Sequence, residues 1–170
     1  MMYKLDLKIT KLDPSQYIDP PSEDEVYADI SLDVLLDEGK IFNIFKIRWD
    51  VMCLLKWIIE NKESIISEPP LNLIKSDFSI AYGIWNFYDL ADLDNVRDSD
   101  MDLVFDYKTR HGLIFALRGV DINNVYIGQA VKGYEISYSN DNNHWSYMVD
   151  LPEFITSVEN YYTKLKNEQS

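Results

Sequence analysis

Polar and apolar residues alternate at the start of the chain. Tyr3, Leu5, Leu7 and Ile9 fall on one side, with Lys4, Asp6 and Lys8 on the other. That period of two predicts a strand over 3–9 with one wet face. Pro14, Pro20, Pro21 and Ser22 then mark a loop. The clearest alternation follows: Val26, Ala28, Ile30, Leu32, Val34 and Leu36 interleave with Tyr27, Asp29, Ser31, Asp33 and Leu35. Asp37-Glu38-Gly39-Lys40 reads as a hairpin turn, with Gly39 supplying a positive φ. Residues 41–49 return as a third strand with Phe45, Ile47 and Trp49 on one face.

The period then changes. Asp50 is a helix-capping residue, and Val51, Leu54, Leu55, Ile58 and Ile59 recur at helical spacing until Glu68-Pro69-Pro70 stops the helix. Residues 71–90 hold Phe78, Tyr82, Trp85, Phe87 and Tyr88, and this aromatic content reads as extended chain, two short strands around Gly83. Residues 91–99 read as an acidic connection. Leu103, Phe105 and Tyr107 alternate with Asp102, Val104 and Asp106, which predicts a strand over 101–107. A turn over 109–112 and a returning strand over 113–117 follow. Residues 125–127, 134–138 and 145–149 read as further strands, the last two joined by the turn Asn140-Asp141-Asn142-Asn143. Asp150 caps a final helix whose apolar stripe is Leu151, Phe154, Ile155, Val158, Tyr162 and Leu165. The expected fold is α+β in one domain over 1–170. It is a mostly antiparallel sheet of about six to eight strands, with two main helices (about 50–64 and 151–167) packed on one face.

Composition narrows the function classes. The 170 residues carry 16 Lys and Arg against 29 Asp and Glu, a net charge of −13, and the aromatic share of 14% is too high for a disordered acidic tail. No apolar run approaches the roughly 20 residues of a membrane span, and MMYKLDLKIT lacks the pattern of a signal peptide, so a cytoplasmic location is expected. The acidity is segmental. Residues 13–38 hold nine acids and no Lys or Arg, and residues 77–106 hold eight more opposed only by Arg97. Such a surface steers a basic partner and repels nucleic acid and anionic membranes.

Catalytic motifs are absent. Cys53, the single cysteine, lies between Met52 and Leu54 and reads as a buried, inert thiol. His111 and His144 show none of the spacings of a zinc site. The run Asp92 to Asp98 places Arg97 and Leu103 where a calcium loop needs Gly and Glu. Glycines are scattered singly, so no phosphate loop forms, and Lys108, Arg110 and Arg118 are too few for nucleic acid. No cofactor or metal is expected. The tryptophans read as core or partly buried anchors.

A small acidic α+β chain, with tyrosines set among its acids and the C-terminal run His144-Trp145-Ser146-Tyr147-Met148-Val149 leading into Asp150-Leu151-Pro152-Glu153-Phe154-Ile155, resembles bacterial toxin-immunity proteins. These are the proteins paired with contact-dependent growth inhibition and other polymorphic toxins. The resemblance implies a non-enzymatic inhibitor that binds and blocks a cognate toxin, often a basic nuclease, in the producing cell's cytoplasm. The candidate contact residues are Glu23, Asp24, Glu25, Tyr27, Asp29 and Asp33 in the first stretch. In the second they are Tyr88, Asp89, Asp92, Asp94, Asp98 and Asp100. Carboxylates pair Lys and Arg, and tyrosine rings take cation–π contacts. Two other readings use the same charge. A nucleic-acid mimic needs regularly spaced carboxylates along a face. A carboxylate-dependent hydrolase needs a concave site holding a carboxyl group of raised pKa.

Overall fold

The computed structural model describes residues 1–91 and 95–169. It is α+β, with four α-helices and two three-stranded antiparallel sheets among those residues. The first sheet is β1 (Lys4–Lys11), β2 (Tyr27–Leu35) and β3 (Ile41–Asp50), in that order. The turn between β2 and β3 has Glu38 at φ 58° and Gly39 at φ 74°, the left-handed pair that a tight hairpin requires. The second sheet is β4 (Val125–Ala130), β5 (Gly133–Ser139) and β6 (His144–Met148). Instead of one continuous sheet, the two are joined by a single parallel bridge. The Tyr3 amide donates to the Met148 carbonyl (2.8 Å), and the Asp150 amide donates to the Tyr3 carbonyl (3.1 Å).

Helix α1 (Val51–Ser67) begins at Asp50, whose Oδ1 accepts from the Met52 amide (3.0 Å) and also from the Val26 amide (2.9 Å). One carboxylate therefore caps α1 and fixes the entry of β2. Helix α4 (Leu151–Gln169) is capped by Asp150, which accepts from the Glu153 amide (3.0 Å). Leu54, Leu55, Ile58 and Ile65 of α1 meet Leu151, Phe154, Ile155 and Val158 of α4 in the main core. Leu5, Leu7, Ala28, Ile30, Leu32 and Val34 supply its strand side.

The middle of the chain departs from the expected strands. Residues 80–90 form helix α2 (Ile80–Leu90), capped by Ser79, whose Oγ accepts from the Tyr82 amide (3.0 Å). Residues 98–111 form helix α3 (Asp98–His111), and residues 113–115 form a 3-10 turn in place of the expected returning strand. In α3 the buried residues are Val104, Tyr107 and His111, a spacing of three and four, whereas Leu103 and Phe105 are each 51% exposed. The alternation of Leu103, Phe105 and Tyr107 was thus a coincidence of composition. Ile74, Ile80, Ala81, Ile84, Val104, Tyr107 and Tyr126 make a second, smaller core. Gly83 lets this layer close, because a Cβ there would collide with the Ile74 carbonyl oxygen. No helix among the described residues is long and apolar enough to cross a membrane.

Candidate functional site

The first acidic stretch does not form a free acidic face. On the outer side of the first sheet, Asp29 stands opposite Arg48 and is bound bidentately by it, at 2.8 and 3.1 Å. The Arg48 guanidinium holds the Asp29 pKa below the carboxylate range. Asp33 is 4% exposed. A bulge beside it pairs Asp33 with Asn43, whose Nδ2 donates to Oδ1 (2.6 Å), while Lys8 Nζ donates to Oδ2 (3.1 Å). Burial raises the Asp33 pKa, but the hydrogen bonds from Asn43, Lys8 and Ser31 outweigh it and hold the group ionised to lower pH. Lys8, Lys46 and Arg48 thus share this face with Asp6, Asp29 and Asp33, and Asp33 is not a surface acid. Glu25 turns inward to accept from the Ser22 amide (3.1 Å) and the Tyr27 hydroxyl (3.3 Å). Tyr27 is half-buried against the Tyr17 ring. Glu23 and Asp24 alone among these six are exposed loop acids without an ion-pair partner among the described residues.

The second stretch is arranged differently. Tyr88 is half-buried on α2, and the Lys108 ammonium lies 4.7 Å from its ring centre. Asp89 is exposed at the end of α2; Asp92 and Asp94 lie outside the described residues. Asp98 is exposed at the first turn of α3, and Asp100 pairs with Arg97 (3.2 Å). Helical geometry then adds two residues outside the first set of candidates, Asp102 and Asp106, and brings them into line with Asp98. Asp98, Asp102 and Asp106 are four apart, so they form one row, about 6 Å apart along the axis. All three are exposed, and none has a Lys or Arg partner among the described residues. Phe105 lies on the same face as the row and Leu103 flanks it. The signal that marks this helix in sequence is its charge order: Asp98 and Asp100 at the start, Lys108, Arg110 and His111 at the end, matching the helix dipole. A second exposed cluster lies on α2 and the loop before it. Phe78, 67% exposed, contacts Tyr82, which contacts Trp85 and His144, and Trp85 Nε1 donates to Asp141 (2.9 Å).

The far end of α3 is clamped. Glu68, at the end of α1, accepts two hydrogen bonds from Arg110 (2.9 and 2.6 Å) and sits 3.0 Å from His111 Nε2. Nδ1 of the same ring lies 2.9 Å from the Ile127 carbonyl of β4. Burial raises the Glu68 pKa, but its bonds with Arg110 and His111 outweigh this and lower it. Burial also lowers the His111 pKa, against the pull of both acceptors. The imidazole is fully buried and stacks on Tyr107 at 4.0 Å. It fits against β4 because Gly128 has no Cβ, which would stand 2.7 Å from Nδ1. Trp57 Nε1 adds a bond to the Thr109 carbonyl (3.2 Å).

Helix α2 is docked by polar residues. Glu135 Oε1 accepts from the Ile80 amide (2.6 Å), and Ser137 Oγ accepts from the Ala81 amide (3.1 Å). The polar side of β5 thus faces the first turn of a helix instead of water. Burial raises the Glu135 pKa against its hydrogen bonds with the Ile80 amide and the Ser137 side chain and the pull of His144. Glu135 and Asp77 line a cavity of about 710 Å³. Cys53, expected to be buried, is exposed on α1, and Sγ donates to Asp50 Oδ2 (3.1 Å). Partial burial of the thiol and that carboxylate push its pKa up to about 11, so the sulfur stays protonated and unreactive at neutral pH. Among the described residues no three His, Cys, Asp or Glu side chains come together as a metal site. No protein-family model matches the chain, and no curated protein or solved structure matches it.

Proposed function

We propose that the protein is a non-enzymatic inhibitor that binds and neutralises a basic protein, of the kind a toxin-immunity protein meets, through the outer face of α3. The observation that carries this reading is the row Asp98, Asp102 and Asp106 beside half-exposed Phe105 and Leu103. Acids at the first turn favour a helix through its dipole, but like charges four residues apart cost about 0.2–0.5 kcal/mol per pair. Asp102, with a like charge one turn away on each side, therefore carries a stability cost that a basic partner relieves, while Asp106 is partly offset by Arg110 one turn on. Half-exposed apolar side chains among unpaired acids supply what a protein interface needs: a contact to bury and charges to steer. Of the residues first considered, Asp98 belongs to this face, Tyr88 and Asp89 lie on α2 beside Lys108, and Glu23 and Asp24 form a separate acidic loop.

The test is capture of partners from source cells by the wild-type chain and by the triple variant Asp98→Lys, Asp102→Lys and Asp106→Lys. Beads are washed at low salt and at about 0.5 M, where only close contacts escape screening. One basic protein held at a stoichiometric level by the wild type and lost by the variant supports the proposal. Equal retention by both chains rejects this face. A spread of DNA-binding proteins released by salt favours nucleic-acid mimicry instead, although three carboxylates make a short imitation of a backbone. The hydrolase reading has one observation in its favour, the buried Glu135 carboxyl beside a cavity. It ranks lower because one oxygen of that carboxyl is committed to the Ile80 amide.

A further inference from the structure

Three features lie outside the α3 face: the stacked His111–Glu68–Arg110 clamp, the groove around Lys108, and the cavity above Glu135. The clamp is a closed network that holds α3 in place. The groove, about 340 Å³, is at the small end of ligand sites. The cavity above Glu135 is about 710 Å³, well within the range of small-molecule pockets. Its walls are the 69–79 segment, the first turn of α2, and the β4–β5 turn.

The charged lining of this cavity is Glu135, which is buried, and Lys75, Asp77 and Lys132, which are exposed, so the mouth is net positive by one charge. Glu135 is 5% exposed, and no Lys, Arg or His nitrogen stands within 4 Å of its carboxylate among the described residues. Its partners are the Ile80 amide and the Ser137 side chain, with a weaker pull from His144, and a buried carboxylate without a close counter-charge is costly. At the mouth, Lys75 and Lys132 are both exposed, and neither pairs with an acid among the described residues. Ile74, Ile80 and Met148 provide apolar wall between the two ends. We infer that this cavity binds a small zwitterion with an apolar body, of the amino-acid class, its ammonium group on Glu135 and its anionic group towards Lys75 and Lys132. The negative charge of the whole chain favours an ammonium at the buried end, and burial, which raises the Glu135 pKa, is the cost that a bound ammonium relieves. This inference stands on β5 and the α2 N-terminus and does not depend on the partner proposed for α3.

The test is calorimetry and NMR titration of the full chain at pH 7.5 with three probes of similar shape: L-phenylalanine, phenethylamine and 3-phenylpropanoate. The expected order of affinity is phenylalanine, then the amine, then the acid. Glu135→Gln keeps an oxygen for the Ile80 amide, so α2 stays docked. It should weaken both amine-bearing probes about tenfold or more, the worth of a charge-assisted bond, and leave the acid unchanged. The double variant Lys75→Ala, Lys132→Ala should weaken phenylalanine about threefold to tenfold and leave the amine as it was. Absence of saturable binding of all three probes up to about 10 mM overturns the inference. So does a Glu135→Gln chain that binds phenylalanine as the wild type does.

Discussion

The two cores of this protein are built on different rules. The main core joins the inner faces of both sheets to α1 and α4 through apolar side chains, mostly aliphatic with Phe45, Trp57, Tyr138 and Phe154 among them. The smaller core places α2 on the polar side of β5 and α3 against β4, so Glu135 and Ser137 are buried as acceptors for the α2 amides. In the first, polarity reports exposure except at Asp33 and Asp50, which are buried at its border and held by hydrogen bonds. In the second it reports a hydrogen-bonding partner, and a strand that looks half wet is covered on both sides. The cavity and the acidic row both belong to this second layer.

The contrast is broken most strongly from the main core. Leu55 is fully buried there, and Leu55→Ala should cost about 2–5 kcal/mol, read as a lowered denaturation midpoint for the whole chain. Gly83→Ala probes the second layer with a reversed sign. An alanine in an open helix gains about 1 kcal/mol over glycine, but here its Cβ meets the Ile74 carbonyl, so a loss of about 1–3 kcal/mol is expected. Hydrogen exchange should show that loss in α2 and α3, with β1 to β3 still protected. Uniform loss of protection would mean that the two cores unfold as one.

Glu135 sharpens the comparison. Glu135→Ala removes the acceptor of the Ile80 amide and should cost about 1–2 kcal/mol, while Glu135→Gln keeps it. Burial raises the folded pKa of Glu135 above its unfolded value. The native state therefore holds more protons between those two values, and the contribution of Glu135 to stability falls as pH rises through that window. Wild-type stability relative to Glu135→Gln should decline with pH from the ordinary glutamate range upward, as followed by denaturant titration at several pH values. A flat or rising difference would show that the carboxylate is not desolvated.

The smallest effect comes from the acidic row. Asp102→Lys removes a like-charge pair on each side and should stabilise the isolated chain by about 0.2–0.5 kcal/mol per pair, seen as a slightly higher melting temperature. A lower melting temperature would mean that Asp102 serves the fold.

Legibility in the sequence follows the same division. The alternation of β1, β2 and β3, the turn at Gly39, and the caps at Asp50 and Asp150 all appear in the structure because local chemistry and burial agree there. Helix α2 was hidden by Tyr82, Trp85, Phe87 and Tyr88, residues whose intrinsic preference is for strands and which tertiary packing overrides. Helix α3 was hidden by acids at positions 98, 100, 102 and 106, with Leu103, Phe105 and Tyr107 between and after them, a period of two that matches a strand; the buried set Val104, Tyr107 and His111 carries the true period. That error also concealed the site, since a strand sets Asp102 and Asp106 in line without Phe105, whereas a helix gathers Phe105 with Asp98, Asp102 and Asp106. Asp29 is ion-paired and Asp33 is buried for a reason no single strand reveals: their partners, Arg48, Lys8 and Asn43, come from the neighbouring strands.

The most direct test of the account is amide hydrogen exchange on the full chain, free and bound to its captured basic partner. The account predicts new protection over residues 98–106 of α3, with residues 23–33 unchanged. Protection confined to 23–33, with α3 exchanging as in the free chain, would contradict it.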